Sequence, residues 1–215
     1  MKILDVQSLS IHSIKVITFS RFSDERGYFS EHFRDSDFVA NNDIGSLQNT
    51  RFLQCNESFS KPNTIRGLHF QWNPFMGKLV RTIQGHMIDL VLDIRIGSPS
   101  YGQLIAFDMP SYPSDAHSTW IWVPPGFAHG NMFLQNTTIE YFCTGEYSPG
   151  CETGISPFAD DIDWSLCDQA HYATFNALRN GIHLITDKDR DGLTLTEWTN
   201  DLRSKEFMYS DLKND

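Results

Sequence analysis

From Val16 onward, short runs of alternating apolar and polar residues follow one another, each closed by glycine, proline or a polar turn cluster. "VITF" (16–19) leads into the turn-like "SDERG", and "YFSEHF" alternates. "RFLQCNES", "TIRGLHFQ", "KLVRTIQG", "HMIDLVLDIR", "GQLIAFDM", "STWIWVPP", "NMFLQN" and "TTIEYFCT" follow in order. Alternation with a period of two predicts strands. The gaps between them carry Gly77, Gly85, "GSPSYG", "PPGFAHG" and "SPG". Many short strands at this spacing predict an all-β sandwich or jelly-roll barrel. One short helix is expected over "SDFVANN" (36–42), and "LTEWTNDLRSKEFMYSDLKND" (195–215) has helical character with Thr194 or Thr196 as its cap. With no repeat, low-complexity run or linker, 1–215 reads as a single domain.

Polar groups break the pattern in an informative way. In "NTIRGLHFQ" (63–71), His69 lies between Leu68 and Phe70. Strand alternation puts it on one face with Gly67 and Gln71, and Arg66 stands three residues before it. Lys78 opens the next strand, Asp89 and Asp93 share a face of "DLVLD", His129 ends "PPGFAHG", and Tyr141 lies in "IEYF". Ionisable groups on barrel strands are costly unless paired or used. A metal-binding jelly roll would need His-x-His with a glutamate and a third histidine, and no His-x-His occurs, so no metal is expected. A purely structural reading treats Asp89 and Asp93 as turn-closing groups. The remaining reading is metal-free acid–base chemistry by histidine, tyrosine and lysine.

Bulk properties narrow the partners. The 215 residues are 40% hydrophobic and 13% aromatic, with net charge −10. The chain is globular, and its charge argues against a broad nucleic-acid surface; a local arginine pocket for a diphosphate remains compatible with it. Cys55, Cys143, Cys151 and Cys167 form no C-x-x-C pair and read as free thiols. With no signal peptide and no apolar run long enough for a bilayer, no membrane is expected and the cytoplasm is.

The motifs "DERGYFSE", "RFLQCNES", "IRGLHFQ", "GKLVR", "DLVLDIRIGSPSYG", "WVPPGFAHG", "YFCTGEYSP" and "DIDW" occur in this order. Together they resemble the dTDP-4-dehydrorhamnose 3,5-epimerase family over a core of about 19–164. The resemblance implies a cupin-type double-stranded β-helix (jelly roll), a homodimer, and no cofactor. It implies inversion of carbon 3, carbon 5 or both in a nucleoside-diphosphate 4-keto-6-deoxy sugar, for deoxysugar or surface-polysaccharide synthesis. A single-centre epimerase and a catalytically silent nucleotide-sugar binder are the alternatives. His69 matches the family's base, Lys78 the group that stabilises the enolate oxygen, and Tyr141 the acid. Asp189, in the pair Lys188–Asp189, matches the carboxylate behind the histidine. Arg26, Glu31, Gln54, Asn56, Arg66, His129, Tyr147, Glu152 and Lys188 match substrate-binding positions. Of these, Arg26 and Glu31 are expected to serve the neighbouring protomer, and Tyr147 to stack on the base.

This chain departs from the family pattern in places. An insertion of about ten residues precedes the Lys188–Asp189 pair, longer than a tight loop, and Asp187 competes with Asp189. The hairpin before Tyr141 is shorter than usual. Since a slip of one residue exchanges the faces of a strand, Phe142 competes for the same position. Cys55 and Glu57 differ from the usual residues, and Asn131 stands where an aromatic is common. The tail, about 190–215, lies beyond the resemblance and reads as a helical flank at the dimer edge.

Overall fold

The computed structural model describes residues 2–212. Twelve strands dominate it: β1 (Ile3–Ser8), β2 (Lys15–Ser20), β3 (Phe22–Asp24), β4 (Gly27–Phe29), β5 (Gln54–Ser60), β6 (Thr64–Gln71), β7 (Lys78–Asp93), β8 (Leu104–Ser111), β9 (His117–Val123), β10 (Phe127–Phe133), β11 (Thr137–Cys143) and β12 (Glu152–Gly154). The helices are short: α1 (Asp35–Val39), α2 (Gln169–Asn180), α3 (Asp187–Arg190) and α4 (Leu195–Asn200), with 3-10 turns at Asn42–Asn49 and Leu202–Glu206. β3 and β4 form a small separate hairpin.

Ten strands build the body, and every pairing is antiparallel. The expected "KLVRTIQG" and "HMIDLVLDIR" are one strand, β7. Gly85, at φ +107, bends it without ending it, and a Cβ there would lie 2.5 Å from the Asn136 carbonyl. The first half of β7 pairs with β9 and β11, the second half with β8 and β10. The bent strand therefore belongs to two sheets, β1-β2-β9-β7-β11-β5 and β8-β7-β10-β6-β12.

Three apolar clusters follow from this layering. Between the sheets lie Val80, Met87, Val91, Ile105, Ile121, Phe133 and Ile139. Outside the first sheet, Leu79, Trp120 and Trp122 meet Phe38, Ile44 and Leu47 from the segment 30–50. Outside the second sheet, Leu68, Phe70, Leu90 and Met132 meet Phe175 and Leu178 of α2, Trp198 of α4, and Phe207. Both faces of the second sheet are thus covered, so β10 is buried along its whole length. Strands buried on both faces lose their alternation, which is why "FAHG" reads as a turn in sequence. The turn is confined to residues before Phe127, and His129 lies inside β10.

Other expectations shift for equally local reasons. "YFSEHF" is strand only to Phe29; His32 leaves the ladder to pack edge-on against Phe19, at a 6.0 Å ring separation. The insertion is largely α2, capped by Asp168. Thr194 caps α4 through a capping box with Glu197. The tail packs on the barrel: the Phe70 ring sits 4.7 Å from Trp198 and 5.2 Å from Phe207, and Trp198 Nε1 donates to the Ile94 carbonyl. Residues 213–215, the end of the expected helical flank, lie outside the described residues.

Truncating a fully buried indole leaves a cavity that its neighbours cannot close, so Trp198→Ala should cost about 3–5 kcal/mol in urea unfolding. Leu202, 77% exposed, should tolerate alanine within about 0.5 kcal/mol.

Candidate active site

The site begins with a close approach of β6 and β10. A Cβ on Gly67 would lie 2.5 Å from Gly130 Cα, and one on Gly130 would lie 2.4 Å from the Arg66 carbonyl. Only two glycines allow this contact, and Gly67 also adopts φ +104. The register slips here: His129 faces His69, whereas Asn131 faces Arg66. One residue of β10, Gly130, thus opposes two of β6, Gly67 and Leu68, a bulge that re-aims side chains. Strict alternation would put Arg66 and His69 on opposite faces. With the slip, both border one cavity of about 350 Å³, together with Lys78, His129, Asn131, Tyr141, Lys188 and Asp189.

His69 Nε2 lies 2.8 Å from Asp189 Oδ1. Asp189 is further held by the Gly67 amide, which donates to Oδ2 at 3.1 Å, and its own amide donates to Thr186 Oγ1. Burial pushes the Asp189 carboxyl up, but the bonds from His69 and Gly67 outweigh it and hold the pKa below the ordinary 3.8. An ionised carboxylate only accepts, so Nε2 carries a proton, and in the neutral imidazole the lone pair is on Nδ1. Nδ1 lies 4.0 Å from Glu152 Oε1. Asp187 does not compete: its side chain is 85% exposed and pairs with Arg190.

Tyr141 and Lys78 come from β11 and the start of β7, and the β11 register pairs Cys143 with Lys78. Tyr141 borders the cavity, while Phe142 faces the other way and stacks on Trp120 at 5.6 Å and 13°. Burial pushes the Tyr141 phenol above 10.0. Burial lowers the Lys78 ammonium from 10.5, against the opposing pull of Cys143, Glu152 and Asp89. Among the described residues, no carboxylate lies within ion-pair distance of Lys78.

The other expected residues divide into groups. Lys188 Nζ pairs with Glu152 Oε2 at 2.9 Å. Gln54 Nε2 donates to Asn56 Oδ1, and Gln54 Oε1 accepts from the Tyr147 amide, leaving the Tyr147 ring 55% exposed. Arg66 Nε donates to Ser60 Oγ and Nη2 to the Phe59 carbonyl. Arg26 and Glu31 do not reach this cavity. Arg26 pairs with Asp24 on the β3–β4 turn and Glu31 with Arg34.

Asp89 corrects the turn-closing reading. It lies inside β7, wholly buried, and His129 Nε2 meets its Oδ2 at 2.8 Å. Asn131 Nδ2 donates to the same oxygen at 3.0 Å, and among the described residues Asp89 Oδ1 has no partner. The signal available in sequence was a charge in the middle of the apolar run "DLVLD". Asp93 does close a turn, accepting from Arg95, Ser98 and Ser100. Thr186, which caps α3 and borders the cavity, carried no sequence signal. Among the described residues, no three histidine, cysteine or acidic side chains group as a metal site, and each cavity histidine bonds a carboxylate.

The model of the dTDP-4-dehydrorhamnose 3,5-epimerase family matches residues 8–197, further at both ends than the motifs reach. The Sinorhizobium fredii dTDP-4-dehydrorhamnose 3,5-epimerase is 44% identical over 153 residues, covering 69% of this chain and 73% of the relative. The chain belongs to this family of isomerases, and its fold is the cupin-type jelly roll. A Legionella pneumophila 3,5-epimerase, solved with dTDP-4-keto-L-rhamnose, superposes with a TM-score of 0.76 at 28% identity, covering 95% of this chain and 97% of the other. A 4-keto-6-deoxy sugar epimerase from the novobiocin biosynthetic gene cluster of Streptomyces spheroides superposes at 0.78 and 25% identity, covering 99% and 96%.

Asp189→Asn removes the charge behind His69 and should cost about 1.5–3 kcal/mol; Asp187→Asn should cost nothing measurable in the same urea titration. Because the Asp189 pKa is depressed, its stabilisation is present above 3.8 and is lost as pH falls through the folded-state value. The difference between wild type and Asp189→Asn should therefore shrink in acid.

Proposed function

We propose that this chain inverts carbon 3, carbon 5 or both of a nucleoside-diphosphate 4-keto-6-deoxy sugar, as a step in deoxysugar biosynthesis. The observation that carries this is one cavity bordered by a carboxylate-backed imidazole, a phenol from another strand and a lysine that, among the described residues, pairs with no carboxylate. The 4-ketone acidifies the hydrogens on both neighbouring carbons. His69 Nδ1 takes one of them, and the C–H electron pair moves through the new C=C bond onto O4. The Asp189 carboxylate steadies the resulting imidazolium. The Lys78 ammonium meets the enolate oxygen, and such preorganised charge is often the largest catalytic contribution. Tyr141 delivers its phenolic proton to the opposite face of the same carbon. Collapse of the enolate restores the ketone, and protons exchanged with solvent reset His69 and Tyr141. Every step is a redox-neutral proton transfer, so the sequence of steps requires no cofactor.

The substrate's charged part lies with Arg66 and Lys188, whose cations suit a diphosphate. His129 and Glu152 complete the sugar's polar contacts. Gln54, Asn56 and the exposed Tyr147 ring take the base, the ring by stacking. Arg26 and Glu31 act in a homodimer, where the exposed hairpin carrying Phe22, Tyr28 and Phe29 reaches a second copy. The free thiols accord with the cytoplasm, where such nucleotide sugars are made.

In D₂O, NMR with a dTDP-4-keto-6-deoxy sugar, repeated with its GDP counterpart, should put deuterium at carbon 3, carbon 5 or both. The nucleotide that reacts faster identifies the substrate series. His69→Ala should reduce labelling by about 10²–10⁴; normal labelling by that variant would overturn the base assignment. The pH profile separates Lys78 from Tyr141. Lys78 must be charged and loses its proton below 10.5, so activity should fall on an alkaline limb below that pH. Burial moves Tyr141 the opposite way, above 10.0, so the Lys78→Met variant is what assigns the limb. Lys78→Met should be slower and should lack the limb.

A further inference from the structure

Among the described residues, Asn131 is the one amide side chain bordering the cavity. It is 5% exposed, sits on β10 two residues beyond His129, and contacts Met87 and Asp89 of the neighbouring β7. Its orientation is fixed chemically. Nδ2 lies 3.0 Å from Asp89 Oδ2 and 3.1 Å from Met87 Sδ, and both of these only accept. The carbonyl Oδ1 therefore points away from them, and among the described residues it receives no donor. An acceptor in this position asks for a hydroxyl.

Lys78 and Asn131 border the same cavity of about 350 Å³, small enough that a sugar ring seated with its ketone at one of them brings a neighbouring substituent to the other. On the proposed function, which this inference extends, the ketone is seated with O4 at Lys78. The atoms flanking O4 are the hydroxyl on carbon 3 and the carbon 5 edge with its methyl. Only the hydroxyl can donate. We infer that Asn131 Oδ1 accepts a hydrogen bond from the carbon 3 hydroxyl and so governs inversion at carbon 3, leaving carbon 5 to the shared base and acid. The bond holds the hydroxyl while carbon 3 is planar in the enolate. It also lets a single fixed group favour one of the two centres, because the methyl side makes no equivalent contact. The sugars this site turns over at carbon 3 are therefore those with a free hydroxyl there.

The test reads both centres in one reaction. Wild type, Asn131→Leu and Asn131→Ser are each mixed with the 4-keto-6-deoxy substrate in D₂O, and the rates of label entry at carbon 3 and carbon 5 are followed by NMR. Leucine removes the amide at similar volume. Serine withdraws the carbonyl while keeping a donor for Asp89. The ratio of carbon 3 to carbon 5 labelling should fall about tenfold in both variants, the scale of one lost hydrogen bond to a neutral group. Carbon 5 exchange in the same tube reports folding and an intact base. A parallel loss at both carbons, or an unchanged ratio, would overturn the inference, because Asn131 would then only support Asp89. A wild type that labels carbon 5 alone would overturn it as well, without touching the epimerase reading. A wild type that labels neither carbon would overturn that reading and this one together.

Discussion

The structure turns on the contact of Gly67 with Gly130. Two backbones can approach this closely only where neither bears a side chain, and the approach forces the one-residue slip between β6 and β10. The slip decides which groups share a face. With it, Arg66 joins His69 at the cavity, and the Gly67 amide is free to donate to Asp189. The carboxylate behind the imidazole is thus held in part by the glycine that makes room for the strand crossing. Geometry of the backbone and chemistry of the site are one arrangement here.

The charges in the cavity are divided between two kinds of environment. Asp189 and Asp89 are each tied to an imidazole, so two potentially isolated anions become parts of hydrogen-bonded pairs. Lys78 and Arg66 differ: among the described residues neither meets a carboxylate within ion-pair distance, and Arg66 is held by Ser60 Oγ and the Phe59 carbonyl instead. A cation drawn partly out of water without a counter-ion is costly, so this side of the cavity carries positive charge that an anionic group could neutralise.

Much of this was legible in the sequence. Alternation together with the turn residues between runs located β2, β5, β6, β8, β9 and β11. The helix at 36–42 and the Thr194 cap followed from local chemistry. What failed lay where burial is uniform: the start of β10, in "FAHG", looked like a turn although "NMFLQN" marked its end as strand, and β7 looked like two strands. The site was legible where a residue type was out of place, as with His69 and Lys78. It was illegible where two distant segments meet. No local pattern could say that Asp189 rather than Asp187 faces His69; that choice is made by the cap at Thr186, which turns one carboxylate inward and the other to solvent. Asp89 was misread for the same reason, its partner being on another strand.

The bond between His69 and Asp189 joins residues 120 apart, and that between Trp198 and Ile94 joins residues 104 apart. Closing loops of such length costs chain entropy before any contact repays it. The two halves of the pair also lie far apart in the order of synthesis. A nascent chain that has emerged only as far as β12 carries the imidazole but not yet the carboxylate behind it. The site is completed by one of the last segments of the chain to be made.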